Sequence, residues 1–215
     1  MGATEQQSHQ RHAMPRTVLR PGTRGLIGHP PRLQSVAEPS LKGKLLIAAP
    51  LLVDPNFHRT VVLVIEHSAE GALGVVLNRP TELPVADAVP ELADLDDGWV
   101  FAGGPVQPQA VIALAEYTGP PPDGAVCGPI APIGVESDMD TLAEEVTRVR
   151  VYAGYSGWGE GQLEGELEED AWFVEPALPG DVFCADAEEL WSHVLERKGG
   201  EYRLVARMPE DPGLN

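Results

Sequence analysis

Two aliphatic runs joined by a short polar connection constrain this fold more than any other feature. TVVLVIEH at residues 60–67 is rich in β-branched residues, ALGVVLNR at 72–79 is likewise short and aliphatic, and only SAEG lies between them. Branched side chains are stiff about χ1 and suit a pleated, buried surface. A glycine-containing connection of this length joins such runs as an antiparallel hairpin, with Pro80 ending the second strand. LLIAA at 45–49 reads as another buried strand, and residues 49–59, APLLVDPNFHR, form the spacer before the hairpin.

Downstream, the pattern alternates irregularly between strand and helix. Residues 84–92 begin with proline and have helical apolar spacing. WVFAGG and QAVIALAE, on either side of residues 103–108, read as a second strand pair, followed by a loose strand over 127–135. Ser137 or Asp138 can cap a helix reaching Val146, after which VRVYAGY returns to strand. Residues 162–167 read as a short helix and AWFVEP as a strand. Residues 186–198 form the strongest helix, with Asp186 as cap, Leu190, Trp191, Val194 and Leu195 as apolar face and Gly199 as stop. Without strict βα alternation, this order predicts an α+β fold.

The chain has 215 residues, enough for one domain with its own core. Residues 1–40 lack hydrophobic period and are rich in Arg, Pro, Gly, Gln and His, so they read as a disordered tail preceding a domain at 41–215. The chain has 15 basic and 33 acidic residues; the tail's 5 and 2 leave 10 and 31, a charge of −21 for the domain. Nucleic-acid affinity rests largely on Lys and Arg neutralising phosphates, so direct DNA contact by the domain is disfavoured. No apolar run approaches a membrane span and no secretory segment is visible, which predicts a cytoplasmic protein. Cys127 and Cys184 are far apart and read as small hydrophobes.

The densest chemistry lies in GYSGWGEGQLEGEL, residues 154–167. Its glycines permit tight turns or close approach, Tyr155 and Trp158 can stack on a planar ligand, and Gln162 and Glu166 share a helix face four residues apart. The alternative is that the aromatics pack in the core and the carboxylates sit at a helix start. Glu164, Glu168, Glu169 and Asp170 read as a solvated acidic face. Gly103 and Gly104 lack the Lys and Ser/Thr of a phosphate loop, and read instead as a turn packing on a second glycine segment such as 154–161. No nucleophile elbow, metal-ligand spacing or cofactor motif is present, so no cofactor or metal is expected.

Taken together and in order, LLIAAPLLVDPNFHRTVVLVIEH, GALGVVLNRP, FAGGPV, YAGYSGWGEGQLEGEL and MPEDPGLN resemble the bacterial AlgH/YqgE family over residues 41–215. The resemblance implies a single compact domain around a mixed, bent, barrel-like sheet with helices packed on it. It also brings the label of transcriptional regulator, although the chain has no helix-turn-helix or basic recognition helix. Asp54, Pro55, Phe57 and Arg59 match the family's turn, in which Arg59 is either an anion ligand through its forked donors or pairs with Asp54 or Glu66. Glu66 and His67 also match the family pattern; adjacent strand residues face opposite ways, so each needs a partner elsewhere. His67 is either a general base or a strand-end residue bonding the hairpin backbone. Asn78, at the far end of the hairpin, reads as a clamp on the loop before it.

Three functions compete. The first is a non-enzymatic binding or regulatory protein holding a small molecule or protein partner at residues 154–166 with Arg59 nearby. The second is an enzyme using His67, Glu66 or Glu166 as acid and base, and the third is a regulator that contacts DNA.

Overall fold

A computed structural model describes residues 40–134 and 137–209; the tail reading for residues 1–40 lies outside them save for Ser40. The strands are β1 (Lys44–Ala48), β2 (Val61–Ser68), β3 (Gly71–Val76), β4 (Pro80–Pro84), β5 (Trp99–Ala102), β6 (Val106–Tyr117), β7 (Ile130–Pro132), β8 (Val146–Gly159) and β9 (Trp172–Pro176). The helices are α1 (Val85–Ala88), α2 (Met139–Glu145), α3 (Gln162–Glu168), α4 (Pro179–Val182), α5 (Leu190–Lys198) and α6 (Tyr202–Ala206). This is the expected α+β arrangement, a large mixed sheet with helices packed on it. The sheet follows the order β4-β5-β8-β3-β2-β1-β9, with β6 branching from β8 and β7 pairing with β6; it is open rather than closed.

The hairpin forms as its sequence dictates, β2 pairing antiparallel with β3 from Val62↔Val76 to Ser68↔Gly71. β1 and β2 are buried on both faces, which explains their unbroken aliphatic character. Leu45, Ile47, Val61, Leu63 and Ile65 face the main core beneath α5, while Leu46, Ala48, Val62 and Val64 join Trp158, Leu163 and Trp172 on the other side. A third cluster packs Val85, Leu92 and Leu142 against β6 and the first half of β8.

β8 links the two halves of the sheet. It pairs with β6 along residues 146–155, with β5 in parallel at 152–153, and with β3 at 156–159. The glycine-rich segment is therefore mostly strand, not loop. Midway along it, Gly154 adopts φ 70°, and a methyl group there would stand 2.6 Å from the Gly104 carbonyl oxygen. A methyl on Gly103 would stand 2.3 Å from the Gly154 carbonyl oxygen. The two glycine segments thus pack together as their sequences suggest, and the Gly103 N–H donates to the Ala153 carbonyl at 2.8 Å.

Several sequence expectations need correction. WVFAGG and QAVIALAE are not partners: β5 pairs with β4 and β8, and β6 with β7 and β8, because the long β8 outcompetes the local hairpin. Pro80 begins β4 rather than only ending β3. Asp186 does not cap the last long helix with its side chain; a 3-10 turn over Ala187–Glu189 leads into α5, and Gly199 ends it at φ 81°. Asp138 does cap α2, accepting from the Thr141 N–H at 2.9 Å. Cys127 and Cys184 are free and half-buried, and burial pushes the Cys127 thiol up to about 11.

The glycine contact supplies a stability test. Gly154→Ala is expected to lower unfolding free energy by about 2–4 kcal/mol, from left-handed strain plus steric overlap. Gly165→Ala, in open space on α3, should raise it by about 0.5–1 kcal/mol. Urea unfolding of both variants checks this contrast; equal midpoints would refute it.

Candidate functional site

Three of the five residues proposed as a ligand surface meet, but on one another. The Glu166 Oε2 atom accepts from both Trp158 Nε1–H at 2.9 Å and Trp172 Nε1–H at 2.8 Å, while Oε1 accepts from the Gln162 amide at 3.0 Å. Gln162 in turn accepts from the Gly159 N–H at 3.1 Å, holding the start of α3 to the end of β8. Phe57 lies 6.3 Å from Trp158 in a stacked arrangement and 5.4 Å from Trp172 edge-on, closing an aromatic cluster. Trp158 is only 6% exposed. Its indole ring is therefore walled in by protein and not open for stacking on a ligand. Tyr155, three positions earlier on β8, packs with the opposite core, so the two aromatics do not share a face.

His67 is held from both sides. Nδ1 accepts from the Leu41 N–H at 3.1 Å, so the ring proton sits on Nε2, which meets Glu164 Oε1 at 2.8 Å. The expectation of a hairpin-backbone bond is thus replaced by a bond to the segment before β1. Glu164, expected on a solvated face, is the carboxylate partner; the sequence offered no sign of it, because the pairing spans 97 positions. A hydrogen bond from its own backbone N–H, then the bond from His67, hold the Glu164 carboxyl below its usual range. Glu66 is exposed and lines a shallow pocket beside His67. With its basic nitrogen already occupied, His67 cannot accept a substrate proton unless Leu41 is released. Of the side chains proposed as an acid-base site, Glu66 and His67 line one shallow pocket with Trp158, while the Glu166 carboxylate is taken up by two indoles and an amide.

Arg59 lies elsewhere, at the opposite end of the hairpin. It adopts φ 53°, uncommon for a residue with a side chain. Asn78 is the clamp its position suggested: its amide donates to the Arg59 carbonyl at 2.9 Å and its oxygen accepts from the Val61 N–H at 2.9 Å. Asp54 caps the start of the same turn, accepting from the Asn56 N–H at 2.8 Å. Arg79 donates to the His58 carbonyl at 2.6 Å. The Arg59 guanidinium lies 4.5 Å above the Trp191 ring and donates to the Met208 carbonyl; it pairs with neither Asp54 nor Glu66. The partner of this turn is Trp191 on α5, far away in sequence, which local reading could not supply.

Around Arg59 opens a cleft of about 450 Å³ lined by His58, Arg79, Glu188, Glu189, Trp191 and Ser192. Among the described residues, neither Arg59 nor Arg79 has a carboxylate within 4.0 Å, despite the chain's excess of acid. Free N–H donors on two clamped guanidiniums can bind a carboxylate or phosphate in forked geometry. The described helices include none long and apolar enough to cross a membrane, and the described residues hold no cluster of His, Cys, Asp and Glu suited to a metal.

Residues 45–203 match the AlgH-like family, and the chain belongs to it. A UPF0301 protein of Streptomyces avermitilis is 46% identical over 185 residues, covering 82% of this chain and 96% of the relative. A crystal structure of a Corynebacterium diphtheriae protein superposes with a TM-score of 0.73 at 28% identity, over 80% of this chain and 93% of that one. The solution structure of the AlgH protein from Pseudomonas aeruginosa gives 0.62 at 30% identity, over 82% and 98%.

Two outcomes test the structural roles assigned to these carboxylates. Glu166→Ala strands two buried indole donors and should cost about 2–4 kcal/mol in urea unfolding, whereas Glu166→Gln, whose amide oxygen still accepts, should cost less. Because folding depresses the Glu164 pKa, its contribution is present above the ordinary carboxyl range and is lost as pH falls through the folded value. Stability of Glu164→Gln should therefore fall less steeply on acidification than wild type; parallel acid limbs would refute this role.

Proposed function

We propose that this chain is a non-enzymatic regulatory binding protein that holds a small anionic ligand at the Arg59 cleft. The observation that carries the reading is the Arg59 turn itself. A side-chain-bearing residue in left-handed backbone costs on the order of 1–3 kcal/mol and persists only where its surroundings over-determine it. Here Asn78, Arg79 and Asp54 brace the turn, and the guanidinium is held against Trp191 at the wall of an open cleft. That bracing preorganises donors for an anion, so little ordering entropy is lost on binding. The site thus moves from residues 154–166, whose polar groups bond one another, to the turn named with them.

Regulation through a protein partner fits the charge better than direct contact with DNA, since a domain of −21 repels the phosphate backbone. The loop that ends in Arg59 also carries Leu51 and Val53, 91% and 84% exposed, which supply apolar surface for such a partner.

A thermal-shift screen of carboxylate and phosphate metabolites tests the assignment. Ligands that raise the Tm of wild type are expected to lose their effect in Arg59→Gln and keep it in Glu66→Gln. A shift that survives in Arg59→Gln would exclude this cleft.

A further inference from the structure

The Arg59 cleft does not end at Arg79. Pro80, Glu188 and Glu189 line it and also line a second cavity of about 400 Å³, so the two are lobes of one furrow with a shared wall. Each lobe falls in the usual range for small-molecule sites, roughly 300–1,000 Å³.

The lobes differ in chemistry. The second has aromatic surface from Trp99, which is 52% exposed, and from Phe101 beneath it on β5. Its polar groups are of opposite sign. The Arg150 guanidinium lies 4.3 Å above the Phe101 ring and donates to the Cys184 carbonyl at 3.3 Å, leaving further N–H groups unused. Asp96 accepts from the Gly98 N–H at 3.0 Å, and the Val151 backbone N–H and the Arg150 charge also favour its ionised form. Burial nevertheless raises the Asp96 pKa, because the carboxyl is partly desolvated.

An exposed indole face accepts a planar ring. A carboxylate and a guanidinium at the same lobe read a ring whose neighbouring edges carry donors and acceptors, and guanine has both: N1–H and N2–H for the carboxylate, O6 and N7 for the fork of an arginine. The shared wall of Glu188 and Glu189, both exposed, is suited to hydroxyl donors, as acidic residues are on a ribose. It is unsuited to a chain of phosphates. The first lobe, with Arg59 and Arg79, suits a single terminal anion.

We propose that the furrow binds a guanosine 5′-monophosphate-like mononucleotide, with its base on Trp99 between Asp96 and Arg150, its ribose at Glu188 and Glu189, and its phosphate at Arg59 and Arg79. This rests on the anion site proposed at Arg59 and extends it by naming the ligand class. Two arginines in one lobe, bounded by a carboxylate wall, favour one phosphate over three, and the ring lobe accounts for selectivity that an anion site alone lacks.

Calorimetric titration of the full chain with GMP, guanosine and inorganic phosphate tests the assignment. GMP is expected to bind at least ~10-fold tighter than phosphate, the gain of one stacked base, and tighter than guanosine. Trp99→Ala, a change at an exposed position, should remove most of that gain and leave phosphate binding unchanged, while Arg59→Gln should abolish phosphate binding and bring GMP to the level of guanosine. If phosphate binds in an Arg59-dependent way but GMP binds no tighter, or Trp99→Ala leaves GMP binding intact, the mononucleotide is excluded and the anion cleft stands. If neither GMP nor phosphate binding responds to Arg59→Gln, both readings fall.

Discussion

The close crossing of Gly103 and Gly104 over Gly154 is the constraint on which the remaining structure depends. Side chains at these positions would hold the two backbones apart, and the hydrogen bond from Gly103 to Ala153 would be lost. That bond continues the parallel pairing of β5 on β8. Gly103 also accepts from the Val76 N–H at 2.9 Å, and Ala102 donates to the Arg79 carbonyl at 2.8 Å, so the crossing sets where β3 ends. Arg79 and Asn78 at that end then brace the Arg59 turn. The geometry of the cleft is thus transmitted from a backbone contact that no side chain makes.

The acidic excess of this domain is put to structural use in places where it resembles catalytic equipment. Glu166 satisfies two indole N–H groups that would otherwise be buried without acceptors, and Glu164 fixes the orientation of His67. Asp181 takes both terminal nitrogens of Arg197, at 2.6 and 3.0 Å, tying α5 to α4. Each of these carboxylates serves the fold, because its loss would leave donors without acceptors. Three arginines behave oppositely: Arg59, Arg79 and Arg150 bond backbone carbonyls or lie against rings and, among the described residues, retain free donors. In a chain of net −18, these three arginines have no carboxylate within 4.0 Å among the described residues, which is why the proposed anion site is placed at their furrow.

Membership of the AlgH-like family and this arrangement of charge bear on the regulatory label carried by the family resemblance. A basic recognition surface is not what the described residues present. A ligand-responsive protein that signals through a partner fits both the acidity of the domain and the braced cleft.

Much of the fold was legible because it depends on local rules: the 60–79 hairpin, the Asp138 cap, the Gly199 stop and the short helix at 162–168 each follow from neighbouring residues. Asn78 was legible too, since a hairpin end places it beside the preceding loop. What only tertiary structure decided is which distant groups meet. Pairing of β5 and β6 with β8, His67 with Glu164, Arg59 with Trp191, and Glu166 with Trp172 all depend on sheet order and helix docking. By itself the sequence determined the periodicity, turn chemistry and family of this protein, because those are written in short-range sterics and hydrogen bonding. The site had to wait for the packed chain, because burial alone determines which polar group is consumed by the fold and which is left open to a ligand.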